Sequence, residues 1–141
     1  MAIIDSSIWI EAARRGGALP TRVAFEALLE EYETATTSPV LGGARVGDFK
    51  RMSQYFSIIP YFPADVNNGN RAIALAWHLQ VRGIRVPLND ILIATAAKRR
   101  DLRVFAEDEH FETMSQCTAL SLYRACYGGT YSPENRGGEG I

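Results

Sequence analysis

The chain lacks any run of about 18 or more apolar residues, the length a membrane-spanning helix needs. Its opening, Met1-Ala2-Ile3-Ile4-Asp5, has no basic segment leading into a long apolar stretch, so neither secretion nor membrane insertion is expected. Cysteine is scarce: Cys117 and Cys126 stand in one segment at no metal-ligand spacing, which fits free thiols in a reducing, cytoplasmic setting. An excess of either charge is also missing, since 15 Lys and Arg face 16 Asp and Glu. The whole molecule is therefore no electrostatic magnet for a polyanion, and any such partner must be held by local patches. Candidate patches are Arg14-Arg15, Arg45/Lys50/Arg51, Arg82/Arg85 and Lys98-Arg99-Arg100 with Arg103, each of which could equally be an ordinary solvated face. No Walker-type phosphate loop occurs, because Gly42-Gly43 is not followed by Lys-Ser/Thr. An aspartyl-nucleophile phosphatase would want a second Asp two residues after Asp5, where Ser7 stands. Neither His78, placed on the polar side of a helix, nor His110, placed on a turn, has a Ser or Cys nucleophile arrangement around it.

What is present suits one globular domain: 141 residues, 47% hydrophobic and 22% charged. Ala2 to Ile4 is a short apolar run ending in Asp5, the pattern of a buried parallel strand. Ser6 or Ser7 can cap a helix that runs through Ile8, Trp9, Ile10 and Ala13 to a stop at Gly16-Gly17. Pro20 opens a second helix, near Thr21 to Glu31, with Val23, Ala24, Ala27 and Leu28 on one side. Thr34 to Thr37 fits a strand, and Ser38-Pro39 starts a helix that Gly42, Gly43 and Gly47 encode weakly. Phe56 to Ile59 and Tyr61-Phe62, broken by Pro60, suggest a third strand. A helix from about Pro63 to Arg82 places Val66, Ile73 and Trp77 on one face and ends at Gly83. Leu88 to Arg100 is apolar on nearly all sides and should form a central helix. Leu102 to Ala106 and Ala119 to Leu122 complete a parallel sheet with helices on both faces. Residues 1–126 form the domain on this reading. Residues 127–141, with five of the chain's 12 glycines, read as a flexible tail without assigned chemistry.

In open parallel sheets, ligands bind in the crevice at the carboxyl ends of the strands. Asp5 closes the first strand, Asp90 opens the central helix and Asp108 follows the fourth strand, so all three point there. Convergent carboxylates are hard ligands for Mg2+, which can activate water and neutralise a scissile phosphate. Each acid also has a plain structural explanation: Asp5 as a helix cap, Asp90 as a favourable first-turn charge, and Asp108 as part of an acidic turn with Glu107, Glu109 and Glu112. Trp9, Tyr55, Phe56, Tyr61 and Phe62 could serve partner contacts, although core packing is the commoner fate of aromatics.

Three segments together, Ile3-Ile4-Asp5-Ser6-Ser7-Ile8-Trp9-Ile10-Glu11, Val86-Pro87-Leu88-Asn89-Asp90-Ile91-Leu92-Ile93-Ala94 and Val104-Phe105-Ala106-Glu107-Asp108-Glu109-His110-Phe111, resemble PIN-domain toxin ribonucleases of the VapC type over about residues 1 to 122. The resemblance implies an α/β, three-layer PIN-like fold with a central parallel sheet flanked by helices. It also implies Mg2+ or Mn2+ dependence, cleavage of RNA, inhibition by a cognate antitoxin protein, and a homodimer. Asp5, Asp90 and Asp108 match the family's first, third and fourth acids, and Ser7 matches a hydroxyl supporting the first. Asn89 stands beside the third as a further supporting residue.

The sequence departs from the family twice. Ala106 replaces a hydroxyl residue two before the last Asp, which could affect the orientation of Asp108. The second acid, a Glu a few residues beyond a start like Pro39-Val40, is missing. Asp48 lies nine residues after Pro39, about 13 Å along a helix, too far to substitute. Either the Glu has become Gly near position 43 or about one helical turn is absent beside Leu41. Two functions follow: an active metal-dependent endoribonuclease, or an impaired domain that binds RNA or an antitoxin.

Overall fold

The computed structural model describes residues 1–125 apart from 15, 32, 43–46, 48–49, 51–52 and 56–57. Expectations for Arg15, Gly43, Arg45, Asp48, Arg51, Phe56, Cys126 and the tail lie outside the described residues. Five strands, β1 (Ala2–Ile4), β2 (Thr34–Thr37), β3 (Tyr61–Phe62), β4 (Arg103–Phe105) and β5 (Ser121–Leu122), form one all-parallel sheet in the order β3-β2-β1-β4-β5. β1 lies at the centre with Ala2, Ile3 and Ile4 all buried, as an apolar run covered on both faces should be. Its neighbours are fixed by register, with Ile3 beside Ala35 of β2 and Val104 of β4. Strand order reverses at β1, which puts the topological switch point beside it.

Six described helices flank the sheet: α1 (Ser6–Ala13), α2 (Leu19–Glu30), α3 (Ser38–Gly42), α4 (Val66–Val81), α5 (Leu88–Arg99) and α6 (Glu109–Cys117). α1 packs on α2, α4 packs on α5, and α5 reaches both β1 and β4. The three-layer α/β arrangement expected from the sequence is thus present.

Several local expectations change. Neither Ser6 nor Ser7 caps α1; the Asp5 side chain does, because its carboxylate accepts from the Ser7 backbone N–H two residues on. The buried side of α2 is Thr21, Ala24, Phe25 and Leu28. Ile58 and Ile59 lie in a turn before β3, with Pro60 breaking the strand. His110 stands in the first turn of α6, a helix that the acidic composition of its opening had concealed. Trp9 is buried, edge-on to Phe25 at 4.8 Å and tilted against Tyr55 at 5.7 Å, so its bulk serves the core.

α4 ends where expected. The Ile84 N–H reaches the Leu79 carbonyl and the Gly83 N–H reaches Gln80, a turn that needs the positive φ of +76° at Gly83. α5 ends in the same way without a glycine: the Leu102 N–H bonds to the Ala97 carbonyl, and Asp101 takes the left-handed conformation at φ 53°. Asp tolerates that region better than most residues.

Candidate metal centre

The end of β1 is tied to the end of β4 by the Asp5 N–H, which donates to the Phe105 carbonyl at 2.9 Å. Asp5 is buried, and its Oδ2 accepts from the Ser7 N–H at 3.1 Å and the Ser7 hydroxyl at 2.6 Å. The same hydroxyl accepts from the Glu107 N–H at 3.0 Å. Ser7 therefore links the first acid to the loop that carries the last. Capping occupies only part of a carboxylate's capacity of about four lone-pair sites, so the cap role and a ligand role are compatible.

Asp90 enters from the first turn of α5, where its N–H bonds to the Pro87 carbonyl at 3.1 Å. Asp108 is the N-cap of α6 and accepts from the His110 N–H at 2.9 Å. That cap sets the backbone at His110, whose Nδ1 lies 3.0 Å from Asp90 Oδ2 and 3.0 Å from Asp108 Oδ1. One ligand atom each from Asp90, Asp108 and His110 falls within 4.8 Å of the others. Of the three aspartates expected from the sequence, Asp90 and Asp108 belong to this group, whereas Asp5 lies outside it and acts on Asp90 through its charge. His110, which sequence reading missed, completes it. The signal was its position two residues after a capping Asp, which aims a side chain back at the helix start.

Electrostatics agree with the crowding. Burial, and then the negative charges of Asp5 and Asp108, push the Asp90 carboxyl above the usual carboxylate range, with His110 offsetting part of the rise. For His110, burial disfavours the charged ring, but Asp108 and Asp90 outweigh it and raise its pKa. Negative charge is concentrated at one point and answered by a single imidazole. Two carboxylates and an imidazole within reach of one another are donors that divalent cations accept, so the residues present fit such a cation.

The remaining residues singled out by sequence are less involved. Asn89 is exposed in the first turn of α5 and has no hydrogen bond to a described site residue. α3 carries Ser38, Pro39, Val40, Leu41 and Gly42, none of them acidic. Thr21 of α2, unremarked in the sequence, is buried and donates to Glu107 at 2.7 Å, holding the loop before Asp108 from the other side. Of the proposed basic patches, Arg14 pairs with Glu11 and Arg99 with Asp65. Arg100 lies 4.2 Å over the Phe62 ring and Arg103 lies 5.2 Å over Tyr123. Intramolecular contacts thus account for much of that charge. A groove of about 470 Å3 lined by Arg71, His78, Lys98 and Arg99 lies toward the far end of α5, away from the acids.

No family model and no curated protein matches the chain. Its structure is similar to solved toxin–antitoxin structures. A structure of FitAB bound to an IR36 DNA fragment superposes with a TM-score of 0.67 at 18% identity, covering 77% of this chain and 85% of that one. VapBC-5 from Mycobacterium tuberculosis, a member of the VapBC family of toxin–antitoxin systems, gives 0.59 at 24% identity, covering 86% and 95%. VapC20 from the same organism, described as a sarcin–ricin loop cleaving toxin, gives 0.60 at 12% identity, covering 81% and 95%. The chain has the fold of these proteins, which is the fold that the resemblance to PIN-domain toxins implied.

Proposed function

We propose that the protein is a divalent-metal-dependent endoribonuclease of the PIN-toxin type, with Asp5, Asp90 and Asp108 as metal-binding and catalytic residues. The observation that carries this reading is the grouping of Asp90 and Asp108 at the strand ends, with Asp5 near enough for its charge to act on Asp90, in a fold shared with toxins. When bound, a divalent cation supplies Lewis acidity and neutralises charge at a phosphodiester. The chain's own contribution is positional. Ser7 fixes Asp5, the start of α5 presents Asp90 half-buried, and the cap of α6 holds Asp108. Bringing these carboxylates together is unfavourable without a counter-charge, which favours binding of Mg2+ or Mn2+; the bound cation would in turn offset their repulsion of a phosphate-bearing strand.

Two protein partners belong to the same reading, a cognate antitoxin and a second copy of the chain. The assignment of residues 1–126 to the domain and 127–141 to an appended tail belongs to it as well. An exposed apolar stripe on α4 is a surface of the kind that protein contacts cover.

The test is RNA cleavage by purified protein with Mg2+, with Mn2+ and with chelator. Cleavage is expected with either metal, is lost in chelator, and falls by about a hundredfold or more in Asp5→Asn and Asp90→Asn, the upper end of what disturbing a ligand shell costs. Folded protein that binds RNA or an antitoxin but cleaves with neither metal would support the second reading, an impaired domain serving as a binding module. The acid-free sequence of α3 is what favours that alternative.

A further inference from the structure

We propose that His110 is a direct ligand of the divalent cation through Nδ1, supplying nitrogen beside the carboxylates of Asp90 and Asp108. This rests on the metal-dependent reading above and adds to it a donor of different chemistry. In octahedral coordination with bonds of about 2.1 Å, neighbouring donors stand about 3.0 Å apart. His110 Nδ1 lies at that separation from both Asp90 Oδ2 and Asp108 Oδ1. A single Nδ1–H can point well at only one acceptor, so one of these two approaches is close without a well-aimed hydrogen bond. A cation held jointly by the three atoms accounts for both distances, with the imidazole bound in its neutral form and its proton released to solvent.

The placement comes from the fold. Asp90 is brought by α5, while Asp108 and His110 are both brought by the start of α6, where the bond from the His110 N–H to Asp108 locks ligand to ligand. α3, the element that would bring the missing acid, has none among Ser38–Gly42. An imidazole among carboxylates is a softer donor. It should tilt selection away from Mg2+ toward Mn2+ and later divalent metals, which gain more from nitrogen.

The chain has two histidines, and His78 lies on α4 in the groove away from the acids, so a histidine signal can be assigned. The experiment is pulsed electron paramagnetic resonance of Mn2+ bound to the full chain, repeated with 15N-histidine, together with Mn2+ and Mg2+ titrations. Nitrogen coupling characteristic of bound imidazole is expected in the wild type and in His78→Gln, converted to the 15N pattern on labelling and absent in His110→Ala. Loss of His110 should weaken Mn2+ binding about tenfold, with a smaller effect on Mg2+. His110→Asp should still bind Mn2+, without nitrogen coupling and with a preference moved toward Mg2+, a change that a merely structural histidine would not produce. Should His110→Ala fail to fold, labelled His78→Gln still decides, because nitrogen coupling that persists in it can come only from His110. Mn2+ bound without nitrogen coupling overturns the role of His110 alone, and metal-dependent cleavage then still supports the proposed function. Absence of any Mn2+ binding overturns both.

Discussion

α4 and α5 follow one another between β3 and β4, pack together, and dispose of their apolar residues in opposite ways. Beyond an exposed first turn at Leu88 and Asn89, α5 buries Ile91, Ile93, Ala94, Ala96 and Ala97 before its basic last turn. α4 carries Val66, Ile73, Trp77 and Val81 on one stripe, and all four are more than half exposed, Trp77 at 69% and Val81 at 86%. Its buried side is made instead of Asn68, Ala72 and Leu79, with the Asn68 amide donating to the Leu92 carbonyl of α5 at 3.3 Å. Helical spacing shows which residues share a face; it does not say which face is covered. A helix apolar all round has no such ambiguity and must be inside.

The contrast can be broken or sharpened in four ways. Ile93→Ala in α5 should cost about 2–5 kcal/mol in urea unfolding, through lost transfer energy and the cavity left behind. A cost below about 1 kcal/mol would mean that α5 is not the packed centre. At the junction of the two helices, Gly83→Ala should cost about 1–2 kcal/mol. There is open space around the added Cβ, so the penalty is backbone strain at φ +76° and nothing else. An unchanged midpoint would show that the turn relaxes.

Asp65 caps α4 and pairs with Arg99 of α5 at 2.8 Å, so it joins the two helices electrostatically. The Asn68 N–H first, and then Arg99, hold its carboxyl below the usual range. A depressed folded-state pKa stabilises at pH above the unfolded value, about 3.9, and that contribution is lost as pH falls through the folded value. Asp65→Asn should therefore lower Tm at neutral pH, with the difference closing in acid; a difference that widened in acid would reverse the assignment. The smallest effect is expected for Ile73→Ala, within about 0.5 kcal/mol for a surface position. A loss as large as that of Ile93→Ala would mean that the stripe on α4 is covered in solution.

The same contrast explains what could be read in advance. β1 and α5 were legible because each is apolar enough to allow one placement, and their ends deliver Asp5 and Asp90 to a common edge. α6 was not, since its opening acids resemble a turn and its buried residues, Phe111, Met114 and Ser115, are few. Missing α6 meant missing His110, whose meaning depends on a helix start rather than on its neighbours in sequence. The exposure of Trp77 and the burial of Trp9 were equally hidden, because a tryptophan's fate is set by what lies opposite, here Phe25 and Tyr55 for Trp9.

The reversal of strand order at β1 has a kinetic consequence. β1 finds β2 after α1 and α2, but its other partner, β4, is brought by residues 103–105, much later in the chain. Closing that long loop costs entropy before any contact repays it, so the pairing of β1 with β4 should form late and slowly. The strand ends that carry Asp5 and lead to Asp108 come together only when it does. During synthesis Asp5 emerges well before Asp90 and Asp108, so the crevice between them is assembled only after α6 has emerged.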